Sequence, residues 1–184
     1  MDKINPIAVL VKNEPGVLAR VAGLLARRGF NIHSLAVGET ENTQISRMSI
    51  VISGDDAVRE QAVKQLRRLV DVIKVHDLTD APRVERGLAL IKVKCPPERR
   101  HEIIELANIF RASITHVDQR TMVVEVSGNR NKVEAMLDMM RPFGILEMAR
   151  TGQIVMSRGK VLSEPQEADA SAPHQEQTRI ANYK

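Results

Sequence analysis

At 184 residues the chain has room for one ordinary domain or two small ones, and its 43% hydrophobic and 27% charged residues are typical of a soluble globular protein. Aromatic residues supply only 2%, so two thin aliphatic cores, or one shared with a partner, suit the inventory. The net charge of +4 comes from interspersed basic and acidic residues without a basic block, and Cys95 is the single cysteine; nucleic-acid binding, an internal disulfide and a multi-cysteine zinc site are all disfavoured.

Ile4 to Lys12 is an apolar, β-branched run that reads as a strand, broken by Asn13-Glu14-Pro15-Gly16. Val17, Leu18, Val21, Leu24 and Leu25 then repeat at helical spacing, with Asn13 as N-cap, Pro15 in the first turn and Gly29 as the left-handed stop. Residues 30–38 and 44–53 read as strands around a polar turn. In the second of these Met48, Ile50 and Ile52 share one face, while Arg47 and Ser49 share the other. Asp55-Asp56 opens a helix with Val58, Ala62, Leu66 and Leu69 as its stripe, and residues 70–78 read as a fourth strand.

After the boundary at residues 79–83 the pattern starts again. Residues 88–95 form a strand stopped by Pro96-Pro97, and Ile103, Leu106, Ala107 and Phe110 mark a helix face. Strands at 113–117 and 122–126 follow. Val133, Met136, Leu137 and Met140 mark a second helix, and a last strand at 145–150 is extended by Ile154–Met156. The expected fold is therefore α+β, with two tandem ferredoxin-like βαββαβ domains at residues 4–79 and 84–159. In the first domain both helices cover one sheet face, and Val37 and Val51 on the other face favour a partner. The Ser-, Glu-, Pro- and Gln-rich residues 160–184 are expected to be a disordered, flexible tail.

Chemistry-bearing motifs are scarce. Neither nucleotide-cradling glycine motif occurs, GxSxG and HExxH are missing, and the five histidines lack ligand spacing. Cys95 and His101 could be written as nucleophile and base, but Cys95 ends an apolar strand, where a free cysteine serves as a small hydrophobe. RNA recognition on this fold uses aromatic rings on the central strands, and Ile45–Ile52 carries none. No signal-peptide core and no membrane-length apolar run is present, so the expectation is a cytoplasmic protein without membrane contact.

The turn Asn13–Leu18 is the most informative stretch. A helix start offers unsatisfied amides and partial positive charge to a carboxylate. Gly16 permits close approach of a ligand to the backbone, and Asn13 offers both donor and acceptor. The same residues also suit a capped turn that binds nothing.

The turn N-E-P-G-V-L, followed by R-G-F-N-I at the helix exit, resembles the ACT domain, an amino-acid-sensing module. Asn31-Ile32-His33-Ser34-Leu35, Ser46-Arg47-Met48, Val84-Glu85-Arg86, Ile109-Phe110-Arg111-Ala112 and Ala149-Arg150-Thr151-Gly152 extend the likeness. Over about residues 3–160 the chain resembles the regulatory (small) subunit of acetohydroxyacid synthase, also called acetolactate synthase. That resemblance implies a non-catalytic subunit that activates a large subunit using thiamine diphosphate, Mg and FAD, with no cofactor of its own. It also implies feedback inhibition by valine or another branched-chain amino acid, and homodimerisation through the ACT domains. The ligand site implied uses Asn13, Gly16, Val17 and Leu18 of one chain with Asn31 and Ile32 of the other, and the second domain contacts the catalytic subunit. The alternative is a stand-alone amino-acid-binding regulator, for which the sequence offers no helix-turn-helix or basic arm.

Overall fold

The computed structural model describes residues 3–159, so the tail expected at 160–184 lies outside the described residues. The first half runs β1 (Ile4–Lys12), α1 (Val17–Arg27), β2 (Asn31–Glu39), β3 (Ile45–Ser53), α2 (Asp56–Leu66) and β4 (Val72–Asp77). The second runs β5 (Arg83–Lys94), α3 (Arg100–Ile109), β6 (Ser113–Val117), β7 (Thr121–Gly128), α4 (Arg130–Met140) and β8 (Ile145–Arg150), followed by a short β9 (Ile154–Ser157). The sheets have strand orders β2-β3-β1-β4 and β6-β7-β5-β8, the same order twice, and every pairing is antiparallel. The architecture is two tandem ferredoxin-like units.

Each half builds its own core. In the first, Val17, Val21 and Leu25 of α1 fall at successive four-residue steps and seat on Ile7, Val9, Met48 and Ile50 of the sheet. In the second, Ile103, Ala107, Val133 and Met136 seat on Ile91, Val93, Met122 and Val124, with Cys95 buried among them. Helix ends follow local rules. Gly29, at φ 74°, closes α1 as its amide bonds the Ala26 carbonyl while the Phe30 amide bonds that of Leu25. Asn129 caps α4, its side-chain oxygen accepting from the Lys132 amide at 3.0 Å. Asn129→Ala should cost about 1 kcal/mol, read as a lower urea midpoint at unchanged slope.

Three details depart from the sequence-based expectation. Strand β5 begins at Arg83, five residues before the strand expected from Leu88. Residues 154–157 do not extend β8. They form β9, which pairs with the first residues of β5, Arg83 against Ser157 through Arg86 against Ile154. This two-stranded ribbon lies on the face of the first sheet that the helices leave bare. Val155 packs with Ala8 and Leu78, its amide donates to Ser49 Oγ at 3.2 Å, and Arg47 Nη2 donates to its carbonyl at 2.8 Å. Val51 on this face is therefore 5% exposed, covered by the chain itself rather than by a partner.

The third departure concerns Val37, which pairs with Met48 and so lies on the helix side. The cause is a bulge: Ile32 pairs with Ile52 and Ser34 with Val51, leaving His33 over. One extra residue reverses the inward-outward alternation of everything after it.

Candidate functional site

Helix α1 starts at Gly16, whose φ of 85° is left-handed. No side chain caps the helix, and its first turn contains no acidic residue. The Val17 amide donates to the Glu14 carbonyl at 3.3 Å, and the exposed turn presents the amides that follow it and the positive end of the helix dipole, the combination that takes a carboxylate. Sequence reasoning missed Arg20, one turn along. Its Nη1 lies 3.2 Å from where a Cβ on Gly16 would stand, and its Nε is held by Asp71 at 2.6 Å. A cation beside a helix start strengthens the field, and four-residue spacing from Gly16 was the available signal.

Asn13 is not the N-cap that the sequence suggests. Its Nδ2 donates to the Thr43 carbonyl at 2.8 Å and to Glu39 Oε1 at 3.1 Å, and its Oδ1 accepts from Ser46 Oγ at 3.0 Å. Left-handed Gly16 occupies the cap position instead, and Asn13 ties the turn to the β2–β3 hairpin. Its donors are used, and one lone pair of its oxygen is left for a ligand. Val17 is 2% exposed and faces its own core, so its side chain is turned away from the turn's outer surface. Leu18 points outward at 44% exposure.

Asn31 and Ile32 lie at the other end of the sheet. Asn31 pairs with Ser53, which pairs with Ile4, the first residue of β1; the turn follows Lys12, its last. Across a nine-residue strand that separation is about 27 Å. Asn31 is exposed and Ile32 half-buried against the core. Within one chain the two sets of residues are not brought together.

Cys95 is fully buried, while His101 is exposed and 3.7 Å from Glu105. Among the described residues no group of three His, Cys, Asp or Glu side chains is placed to hold a metal ion, and no helix is long and apolar enough to cross a membrane.

The comparisons with known proteins agree with this architecture half by half. Residues 7–74 match a family described as the AHAS small subunit-like ACT domain, and residues 86–159 match the small subunit of acetolactate synthase. A probable acetolactate synthase small subunit from Archaeoglobus fulgidus is 58% identical over 155 residues, spanning 84% of this chain and 97% of the relative. The acetolactate synthase small subunit of Aquifex aeolicus is 53% identical over 159 residues, spanning 86% of this chain and 83% of its own. The crystal structure of the small subunit from Thermotoga maritima superposes with a TM-score of 0.78 at 43% identity, covering 86% of this chain and 99% of that one. With the paired fold, both halves matched and identity above 50% to full-length relatives, the chain belongs to the family of acetolactate synthase small subunits.

Proposed function

We propose that this chain is a non-catalytic regulatory subunit which raises the activity of a thiamine-diphosphate-, Mg- and FAD-dependent catalytic subunit and makes it sensitive to valine or another branched-chain amino acid. The observation that carries the effector site is the uncapped start of α1 at Gly16, an exposed carboxylate receptor in the half of the chain that matches an ACT domain. The chain supplies no cofactor to the reaction; the second half, residues 84–159, docks on the catalytic partner in the cytoplasm.

The separation of Gly16 from Asn31 supports a site shared between two copies. Strand β2 is the edge strand of the first sheet. Antiparallel pairing of β2 with its copy, centred near Leu35, sets Asn31 of one chain opposite Glu39 of the other, and Glu39 is the residue that Asn13 touches. The homodimer thereby delivers Asn31 and Ile32 to the turn of the mate. Backbone amides at the start of α1 take the ligand carboxylate, and the free lone pair of Asn13 with the amide oxygen of Asn31 takes its ammonium. Leu18 and Ile32 meet the aliphatic side chain. Val37, 43% exposed and two residues from Glu39, adds apolar surface at the same end of the sheet.

The purified chain alone should form no acetolactate. Added to the catalytic subunit it should raise the rate, and valine should lower that raised rate. A chain that binds valine calorimetrically yet never alters the rate of its catalytic partner would contradict the subunit role. Discrimination among valine, leucine and isoleucine should be graded, because one methylene is worth about 1–3 kcal/mol.

A further inference from the structure

A cavity of about 490 Å³ lies between the two halves, and none of the residues of the Asn13–Leu18 turn lines it. The first half contributes His33 on β2; the second contributes Arg83, Arg130 and Arg150. Two of these cations are matched. Arg83 Nε is 2.6 Å from Glu85 Oε1, and Arg150 Nη1 is 2.9 Å from Glu134 Oε1, with both carboxylates also on the cavity wall. Arg130 is different: its Nη1 is buried without a hydrogen-bond partner.

Other features converge on the same space. Arg130 is the first residue of α4; Asn129 caps the Lys132 amide, but the first turn contains no acidic side chain, so no charge in that turn offsets the positive helix end where it meets the cavity. Gln153 also lines the cavity, and its Oε1 is buried without a donor. Burial, and then the guanidinium groups of Arg130 and Arg150, push the pKa of His33 down against the opposing pull of Glu134. Two positive side chains are thus close enough to His33 to act on one point. A buried donor and a buried acceptor left unmet both carry a desolvation cost, which an occupant of matching chemistry removes.

We propose that this inter-domain cavity binds a small oxyanion-bearing metabolite, a carboxylate or phosphate held by Arg130 and the start of α4, with a hydroxyl or amine donating to Gln153. The occupant touches both halves of the chain, so it strengthens the docking of the ribbon-bearing face against the second unit. It is a second ligand, separate from the effector at the Gly16 turn.

The test uses the full chain and follows the His33 ring resonances by NMR, titrating inorganic phosphate or malate at fixed ionic strength. A saturable shift with phosphate identifies phosphate chemistry, one with malate identifies carboxylate chemistry, and either supports the site. Arg130→Gln should weaken that binding about tenfold or more, as expected for loss of a charge-assisted hydrogen bond. Arg130→Lys keeps the charge but loses the planar fork; it should weaken binding severalfold and serves if the Gln variant does not fold. Gly16→Asp should leave the titration unaltered. Shifts that rise linearly with concentration, or equal affinity after the Arg130 changes, overturn the proposal. So does loss of anion binding in Gly16→Asp, which would assign the anion to the α1 turn.

Discussion

Gly16→Asp should raise the valine concentration needed for half-maximal inhibition by at least about 30-fold, roughly 2 kcal/mol, while stimulation of the catalytic subunit persists. The added carboxylate occupies the helix-start field that the ligand carboxylate needs. It also stands within reach of Arg20, whose Nη1 lies 3.2 Å from the new Cβ position, and so draws on the same cation. Backbone strain must be separated from charge, because the φ of 85° at residue 16 favours glycine. Gly16→Asn supplies that comparison. Asn and Asp both tolerate left-handed backbone better than other residues and have nearly the same shape. The Asn variant should therefore retain much more valine sensitivity than the Asp variant. Equal loss in the two would assign the effect to strain.

The proposed sharing of the site between two chains makes a further demand on the same variant. Asn31→Ala should also weaken the valine response, although Asn31 is about 27 Å from the turn in its own chain. A heterodimer of Gly16→Asp with Asn31→Ala then contains one doubly damaged site and one wholly intact site. Mixing two insensitive chains should restore inhibition to a fraction of the complexes. No recovery on mixing would place both residues in one chain's site and contradict the β2-paired dimer.

Much of this fold is legible because the two helix pairs and the central strands have clean periodicities. Val17, Val21 and Leu25 are buried at the spacing that predicts α1, and Ile103 with Ala107 does the same for α3. The failures are equally physical. The side of the sheet occupied by Val37 depends on a bulge at His33, and a bulge inserts no residue type that distinguishes it from regular strand. The position of Asn13 looked like an N-cap because Asn caps helices well. The capping oxygen is instead engaged by Ser46, a partner 33 residues away that no local pattern reveals. The β5–β9 ribbon was hidden for a related reason: Arg83 falls in the expected boundary and the charged Glu85 and Arg86 precede the apolar run that begins at Leu88, yet their backbone completes a sheet whose other strand is about 70 residues on. At the candidate site, the turn and the four-residue spacing of Arg20 from Gly16 could be read from local sequence, whereas the separation of Asn31 from the turn required the registered sheet.

Gly152 should be the least replaceable residue of the junction between the two halves. A Cβ there would overlap the Leu35 carbonyl group and lie 2.9 Å from the Ala36 amide nitrogen. Both obstacles are backbone of a paired strand, so neither can rotate aside as a side chain would. Gly152→Ala must lift residues 151–155 from the first sheet. The Gln153 amide then loses Ser34 Oγ, now at 2.7 Å, and the Val155 amide loses Ser49 Oγ. Val155, Ala8 and Leu78 lose their mutual burial. Overpacking of this kind costs about 1–3 kcal/mol, with a fall in Tm of about 2–4 °C per kcal/mol for a chain of this size. Because each half retains its own core, the variant should also unfold in two steps, with early hydrogen exchange confined to β9 and the residues of β5 that pair with it, Arg83 to Arg86. Gly38→Ala is the control: nothing lies within 4 Å of its new Cβ, and its φ is not left-handed. A single transition in Gly152→Ala at the temperature of the parent chain would mean that the ribbon is not held on the first sheet in solution. If instead it melts early and separates stimulation from valine inhibition, the junction at Gly152 is the route by which the first half acts on the second.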